Sequence, residues 1–190
     1  MHASSKNILT IDPPFLFKTG EIFNDPLFIA YETYGELNDK KDNAILVTTG
    51  LSPSAHLCST SEDQSPGWWE KIAGEGKYID TQKYFVICIN SLGSCYGSSG
   101  PASFKPDTDV KYGLSFPEVT IEDMAQSMKP VIDELGIKTL HSIIGPSMGG
   151  MTAMSLVKQF PSITKNLILI STAASCRPFS IAVRSLHRQL

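Results

Sequence analysis

Residues 145–149 read Gly-Pro-Ser-Met-Gly. A serine with a glycine two residues to either side forms the pattern G-x-S-x-G. That pattern carries nucleophilic serine chemistry when a strand runs into it and a helix runs out. The turn is so sharp that a side chain at Gly145 or Gly149 would collide with neighbouring backbone. The serine between them is forced into a strained conformation with its hydroxyl exposed. A helix starting at the serine aims free N–H groups and partial positive charge at a developing oxyanion. Ser147 is therefore the candidate nucleophile. The competing reading is a glycine-rich turn with an incidental serine.

Such a site needs a second amide, from the loop after an earlier strand. The run Ala44–Thr49 ends in Thr49-Gly50-Leu51-Ser52, a suitable loop. The backbone N–H groups of Leu51 and Met148 are the candidate oxyanion donors. A serine nucleophile also needs a base and an acid, which follow it in the chain order Ser, Asp or Glu, His. No Asp or Glu follows Ser147, and the only later histidine is His187. His56 and His141 precede the serine, and His141 is read as packed or solvated. The expectation is a chain truncated before its catalytic Asp and His, which would lie beyond residue 190. On that expectation the 190 residues alone are inactive.

The elements that must hold this serine can be read from periodicity. Runs rich in β-branched and other apolar residues read as strands at Leu27–Tyr34, Ala44–Thr49, Tyr84–Asn90, Leu140–Gly145 and Asn166–Thr172. The later runs are nearly continuous in apolar residues, as expected of strands buried on both faces. Apolar residues from Ile121 to Leu135 recur at helical spacing. Thr120 is a natural N-cap with Asp123 three residues on, Gly136 is a natural stop, and Pro130 should kink the helix. A second helix should run from just after Ser147 to near Phe160, before Pro161. Alternating strands and helices predict an α/β fold with a mostly parallel sheet and helices on both faces. No linker divides the chain, so residues 1–190 are read as a single core.

Composition sets outer limits. The 190 residues are 42% apolar and 18% charged, with net charge −3, which gives no reason to expect nucleic acid as a partner. No apolar run approaches the roughly 20 residues of a membrane span. With no signal-peptide layout at the N-terminus, a cytoplasmic location is expected. Five basic residues follow Ser147 (Lys158, Lys165, Arg177, Arg184 and Arg188), while all 19 acidic residues precede it. Arg177 and Arg184 are conceivable pocket residues for an anionic ligand. The four cysteines form no CxxC pair and no Cys/His cluster, so reduced thiols and no metal site are expected. The stretch Asn90–Gly100 is rich in Gly and Ser but lacks the Lys-Ser/Thr of a P-loop and the spacing of a dinucleotide fingerprint. It is read as lining a pocket mouth at a strand's carboxyl end. Trp68 and Trp69 are read as packing residues.

Four segments carry a family resemblance: PGWWEKIAGEGKYIDTQKYFVICINSLGSCYGSSGPAS, FPEVTIEDMAQ, GPSMGGM and SIAVRSLHRQL. Together they make the chain, from about Phe28 to Leu190, resemble the MetX-type homoserine O-acyltransferases of methionine biosynthesis. The resemblance implies an α/β-hydrolase fold with a helical lid inserted before the acid and the histidine, and residues 177–190 look like the start of that lid. It implies ping-pong transfer. Ser147 would take an acyl group from acyl-CoA, a co-substrate rather than a cofactor, and pass it to the hydroxyl of L-homoserine. It also implies a homodimer built through the lid. The stretches LSPSAH, NSLGSC and PFSIAVRSL, and Pro146 in the elbow, look more like the succinyl-transferring branch. Homoserine O-acetyltransferase and L-serine O-succinyltransferase remain alternatives. A serine esterase or thioesterase on the same fold is the alternative of another class.

Overall fold

The structure is a computed structural model. It describes residues 5–175, 178–187 and 189; for Ser5, Lys6 and His187 only the backbone is described. In chain order the strands are β1 (Ser5–Ile11), β2 (Phe15–Leu16), β3 (Ile22–Phe23), β4 (Leu27–Tyr34), β5 (Ala44–Thr48), β6 (Ala73–Gly74), β7 (Ile79–Asp80), β8 (Phe85–Ile89), β9 (Leu140–Pro146) and β10 (Thr164–Ile170). The helices are α1 (Ile121–Glu134), α2 (Met148–Gln159) and α3 (Pro178–His187). Six strands form one sheet in the order β1-β4-β8-β5-β9-β10. The β8-β5-β9-β10 part is parallel, and β4 and β1 are antiparallel to their neighbours.

Alternation along the central strands sorts their side chains onto two faces. Ala44 and Leu46 of β5, Ile87 and Ile89 of β8 and Ile143 of β9 join one core cluster with Ala125, Met128 and Val131 of α1 and Ala153 and Leu156 of α2. Ile45 and Val47 of β5, Val86 and Cys88 of β8 and Ile144 of β9 join the other with Ala55, Leu57 and Cys58. Among the described residues α1 and α2 share one face and pack on each other. The opposite face, where helices were also expected, is covered by the largely irregular segment 54–80, with Trp68, Trp69 and Ile72 against it. The two tryptophans stack at 4.8 Å between ring centroids. Trp68 Nε1 donates to the Ser54 carbonyl at 3.0 Å.

The helix over 121–134 starts and stops as its sequence predicts. The Thr120 hydroxyl accepts from the Asp123 amide at 3.3 Å, and Asp123 Oδ2 accepts from the Thr120 amide at 2.8 Å. This reciprocal cap satisfies two amides that a helix start leaves without partners. Gly136, at φ 68°, takes the left-handed turn that closes the helix. The Ile137 N–H then returns to the Ile132 carbonyl at 3.1 Å.

In the six-stranded sheet two strands differ from expectation; outside it the short pairs β2–β3 and β6–β7 were not expected either. β1 was not foreseen; it is an edge strand whose side chains from Asn7 to Ile11 alternate half-buried and exposed. β10 was expected to be buried on both faces. It pairs only with β9, and most of its residues are exposed, including Ile168, Leu169 and Ile170 at 40–45%. Its apolar run is real, but burial needs a covering layer, and none of the described residues supplies one.

Candidate active site

β9 ends at Pro146 and α2 begins at Met148, leaving Ser147 alone in the turn. Ser147 lies at φ 54°, ψ −124° and is exposed. A side-chain-bearing residue in such a conformation costs about 1–3 kcal/mol and persists only where its surroundings impose it. Here they do. The Ser147 N–H donates to the Ile170 carbonyl of β10 at 2.9 Å, and the Ser147 carbonyl accepts from the Gly150 amide at 3.0 Å. A Cβ at Gly145 would lie 2.7 Å from the Gly149 oxygen, and one at Gly149 only 2.4 Å from the Thr48 oxygen. Both glycines therefore have the steric role assigned from the sequence. Gly150 was not singled out. A Cβ there would meet Thr172 Cγ2 at 2.4 Å and the Gly145 oxygen at 2.8 Å. The Gly-Gly doublet after the serine was the available signal.

The loop after β5 lies beside this turn. Thr48 Oγ1 donates to the Gly149 carbonyl at 2.8 Å, tying the end of β5 to the first turn of α2. Thr49 Oγ1 shares a 3.2 Å hydrogen bond with Ser91 Oγ, tying it to the loop after β8. A Cβ built at Gly50 would sit 4.0 Å from Ser147 Cβ. Leu51 follows with 82% exposure. Met148 is the first residue of α2, where amides have no carbonyl one turn earlier in the helix to bond. Leu51 and Met148 also line one cavity of about 340 Å³, together with Ser91, Ser94, Glu118 and Met124. Glu118 is the one charged residue among those lining it. Ser91 to Ser94 therefore edge a pocket at the carboxyl end of β8, as the sequence suggested. Ser98 and Ser99 further along seal β4 instead, accepting from the Ala30 and Phe28 amides at 3.0 and 2.8 Å.

The remaining candidates lie apart from Ser147. His141 opens β9, at the other end of the strand. Its Nδ1 meets Ser142 Oγ at 2.8 Å and its ring packs 5.1 Å from that of Tyr84. His56 is held by Glu32 and Ser65. Arg184 is exposed on α3 and is not among the residues lining the cavity beside the elbow. Arg177 and the His187 side chain lie outside the described residues. Among the described residues no histidine or carboxylate hydrogen-bonds the Ser147 hydroxyl, and no group of three or more His, Cys, Asp or Glu could hold a metal ion. Cys58 and Cys88 are buried free thiols, and burial pushes the Cys58 thiol up to about 11. A second cavity of about 390 Å³ includes Ser59, Glu70 and Lys77. The Ser59 amide and hydroxyl, Lys77 and the Gly67 amide hold the Glu70 carboxyl down to about 2, so it serves as a permanent anionic staple for that loop.

A parallel sheet, a crossover helix and a strained serine at the strand-to-helix turn agree with what known proteins show. The family model for the alpha/beta hydrolase fold matches residues 43–186. The chain belongs to the α/β hydrolase fold family. Within that family it is 51% identical over 176 residues to a serine O-succinyltransferase of Xanthomonas axonopodis pv. citri, covering 93% of this chain and 44% of that protein. A solved homoserine O-acetyltransferase from Bacillus anthracis superposes with a TM-score of 0.84 at 32% identity, covering 94% of this chain and 49% of that one. The solved esterase E22 superposes equally well, with a TM-score of 0.85 at 33% identity, covering 97% and 52%. The resemblance to the MetX-type acyltransferases is thus borne out by relatives of that kind. The chain spans about half the length of these relatives. No helix among the described residues is long and apolar enough to cross a membrane.

Proposed function

We propose that this protein is an acyl-CoA-dependent O-acyltransferase acting on a hydroxyl-bearing amino acid, with Ser147 as nucleophile. The observation that carries the reading is the geometry of Ser147. It is exposed at φ 54°, against the start of α2 and beside the loop of Leu51. In the proposed reaction Ser147 Oγ attacks the thioester carbon and gives its proton to a base. The Leu51 and Met148 amides stabilise the oxyanion, and the C–S bond breaks to release CoA. The hydroxyl of the amino acid then attacks the acyl-serine, and the serine regains its proton. No carboxylate follows Ser147 in the sequence. The proposal therefore assigns the base and its acid partner to residues outside this sequence, and reads α3 as the first helix of a lid. Transfer in preference to hydrolysis requires that the lid exclude water.

Succinyl is the proposed donor group and L-homoserine the proposed acceptor. The similarity to a protein named serine O-succinyltransferase supports the donor and sets L-serine beside homoserine as acceptor. The similarity to a homoserine O-acetyltransferase keeps acetyl as the second choice. A serine esterase is the other reading, favoured by the equal superposition on esterase E22.

Intact-protein mass after brief incubation of the full-length enzyme with equal succinyl-CoA and acetyl-CoA tests these readings together. The expected result is a succinyl adduct that is absent in Ser147→Ala and is discharged by homoserine. An acetyl adduct reverses the donor and keeps the mechanism. Free CoA accumulating without adduct or acceptor points to the esterase.

A further inference from the structure

A polar cluster follows the loop that carries Leu51, buried at Glu32 and Tyr34 and open to solvent at Ser65. Glu32 is 6% exposed on β4. Its Oε2 accepts from the Tyr34 hydroxyl at 2.8 Å and faces His56 Nδ1 at 3.1 Å. On the other side of the ring, His56 Nε2 lies 2.9 Å from the Ser65 carbonyl oxygen and 3.3 Å from Ser65 Oγ. Ser65 Oγ donates its own proton to Asp63 Oδ1 at 2.5 Å, so both Ser65 oxygens face the ring as acceptors. A carbonyl can only accept, so Nε2 carries a proton. Nδ1, 3.1 Å from Glu32 Oε2, is placed to donate to that carboxylate when it too carries a proton. The doubly protonated ring then bridges both acceptors.

The same cluster holds the backbone on both sides of His56. The Leu57 amide donates to the Tyr34 hydroxyl at 2.7 Å, and that hydroxyl lies 3.2 Å from the Ala55 carbonyl. The His56 carbonyl accepts from the Trp68 amide at 3.3 Å, and the Leu57 carbonyl from the Trp69 amide at 3.0 Å. Segment 55–57 is therefore pinned to β4 on one side and to residues 65–69 on the other. Leu51 lies five residues upstream, between this clamp and the end of β5. Its side chain is 82% exposed, so packing does little to fix it.

We propose that His56 is the positioning residue of the loop that carries the Leu51 amide, clamped there by Glu32 and Ser65. The inference rests on the reading that this amide stabilises the oxyanion at Ser147. It deepens that reading by naming the group that sets the amide's place. The clamp is strongest when the ring holds both protons. Burial alone would pull the His56 pKa down; the Ser65 carbonyl and the Glu32 carboxylate outweigh it, and the net shift is upward. Glu32 faces the ring from β4, its Oε2 shared with the Tyr34 hydroxyl, and Asp63 adds negative charge from the segment beyond the ring. A raised histidine pKa gives stability that is complete below the unfolded value near 6.5 and is lost as pH rises through the folded value. The clamp therefore loosens on the alkaline side.

The test is labelling of Ser147 in the full-length enzyme by a fluorophosphonate, which forms a Ser–O–P bond with loss of fluoride and needs both the nucleophile and the oxyanion donors. The variants are His56→Asn, His56→Gln and Glu32→Gln. His56→Asn retains a donor toward Glu32, and His56→Gln one toward Ser65. The expected result is labelling that still reaches completion but about 10- to 100-fold more slowly, the scale expected when an oxyanion donor is misplaced and not removed. The wild-type rate should fall on the alkaline side, and that fall should vanish in His56→Gln. Labelling at the wild-type rate of a reduced fraction of molecules would mean a folding defect and overturn the proposal, as would unchanged rate and extent. Wild-type protein that never labels at Ser147 would instead sink the nucleophile reading, a separate failure.

Discussion

β5 and β10 flank β9 on its two sides, both parallel to it and both rich in apolar residues, yet they hold the serine turn in different ways. All five residues of β5 are buried, whereas β10 is largely exposed. From the β5 side the elbow is met by packed backbone and a side-chain hydrogen bond, Thr48 Oγ1 to the Gly149 carbonyl. From the β10 side it receives one backbone bond, Ile170 O to Ser147 N, and the Thr172 side chain against Gly150. A strained residue is held only as firmly as its least compliant neighbours. The β5 flank should therefore govern the elbow, and substitutions there should cost more than matched ones on the β10 flank.

The largest contrast is expected between the two adjacent glycines. Alanine at 149 places a Cβ 2.4 Å from the Thr48 oxygen and 2.8 Å from the Thr49 oxygen, both backbone atoms in the sheet interior. Neither can retreat without shifting the end of β5. Gly149→Ala should cost about 3 kcal/mol or more and abolish labelling of Ser147, at the upper end of overpacking penalties. Alanine at 150 meets the Thr172 side chain at 2.4 Å and one backbone atom, the Gly145 oxygen, at 2.8 Å; its tightest obstacle is a side chain and not sheet backbone, so a smaller cost of about 1–2 kcal/mol is expected. Urea unfolding midpoints of the two variants test this. Equal losses would break the asymmetry between the flanks.

Next in size is a matched pair within the strands. Leu46 of β5 is fully buried, and Leu169 of β10 is 41% exposed. Leu46→Ala should cost about 2–5 kcal/mol through lost transfer energy and the cavity left behind. Leu169→Ala should cost about 1 kcal/mol or less, because much of its surface already meets solvent. If Leu169→Ala costs as much as Leu46→Ala, then β10 is covered in solution by something other than the described residues, and the asymmetry between the flanks fails.

How far the sequence revealed this arrangement depends on the range of each cause. The α1 cap joins Thr120 and Asp123, three residues apart, and both ends of that helix were legible. The elbow is likewise written within five residues, so Gly145, Ser147 and Gly149 could be read directly. The burial of β5 and the exposure of β10 could not be told apart, because both runs are apolar and the difference lies in what covers them. β1 was missed because an edge strand needs no continuous apolar run. The clamp joins Glu32 to His56 across 24 residues of sequence, and nothing local to either marks the other. Gly150 was passed over because its obstacle, Thr172, is brought in by the next strand.

The smallest effects give the sharpest form of the comparison, because one chemical change can be made on both flanks. Thr48 and Thr172 both place a hydroxyl in buried surroundings near the elbow. Thr48 Oγ1 donates to the Gly149 carbonyl. Thr172 Oγ1 is buried without a partner among the described residues. Valine matches threonine in shape but removes the hydroxyl. Thr48→Val removes a side-chain donor from the Gly149 carbonyl, which keeps its place in the α2 ladder, an expected loss of about 1 kcal/mol. It also frees the first turn of α2 from β5, so labelling of Ser147 should slow. Thr172→Val gives up no hydrogen bond and removes an unsatisfied polar atom, so its expected effect is neutral or stabilising by about 1 kcal/mol. Thermal unfolding of the two variants side by side measures the difference. If Thr172→Val destabilises as much as Thr48→Val, the Thr172 hydroxyl has a partner beyond the described residues, and the β10 flank holds the elbow with a polar contact of its own.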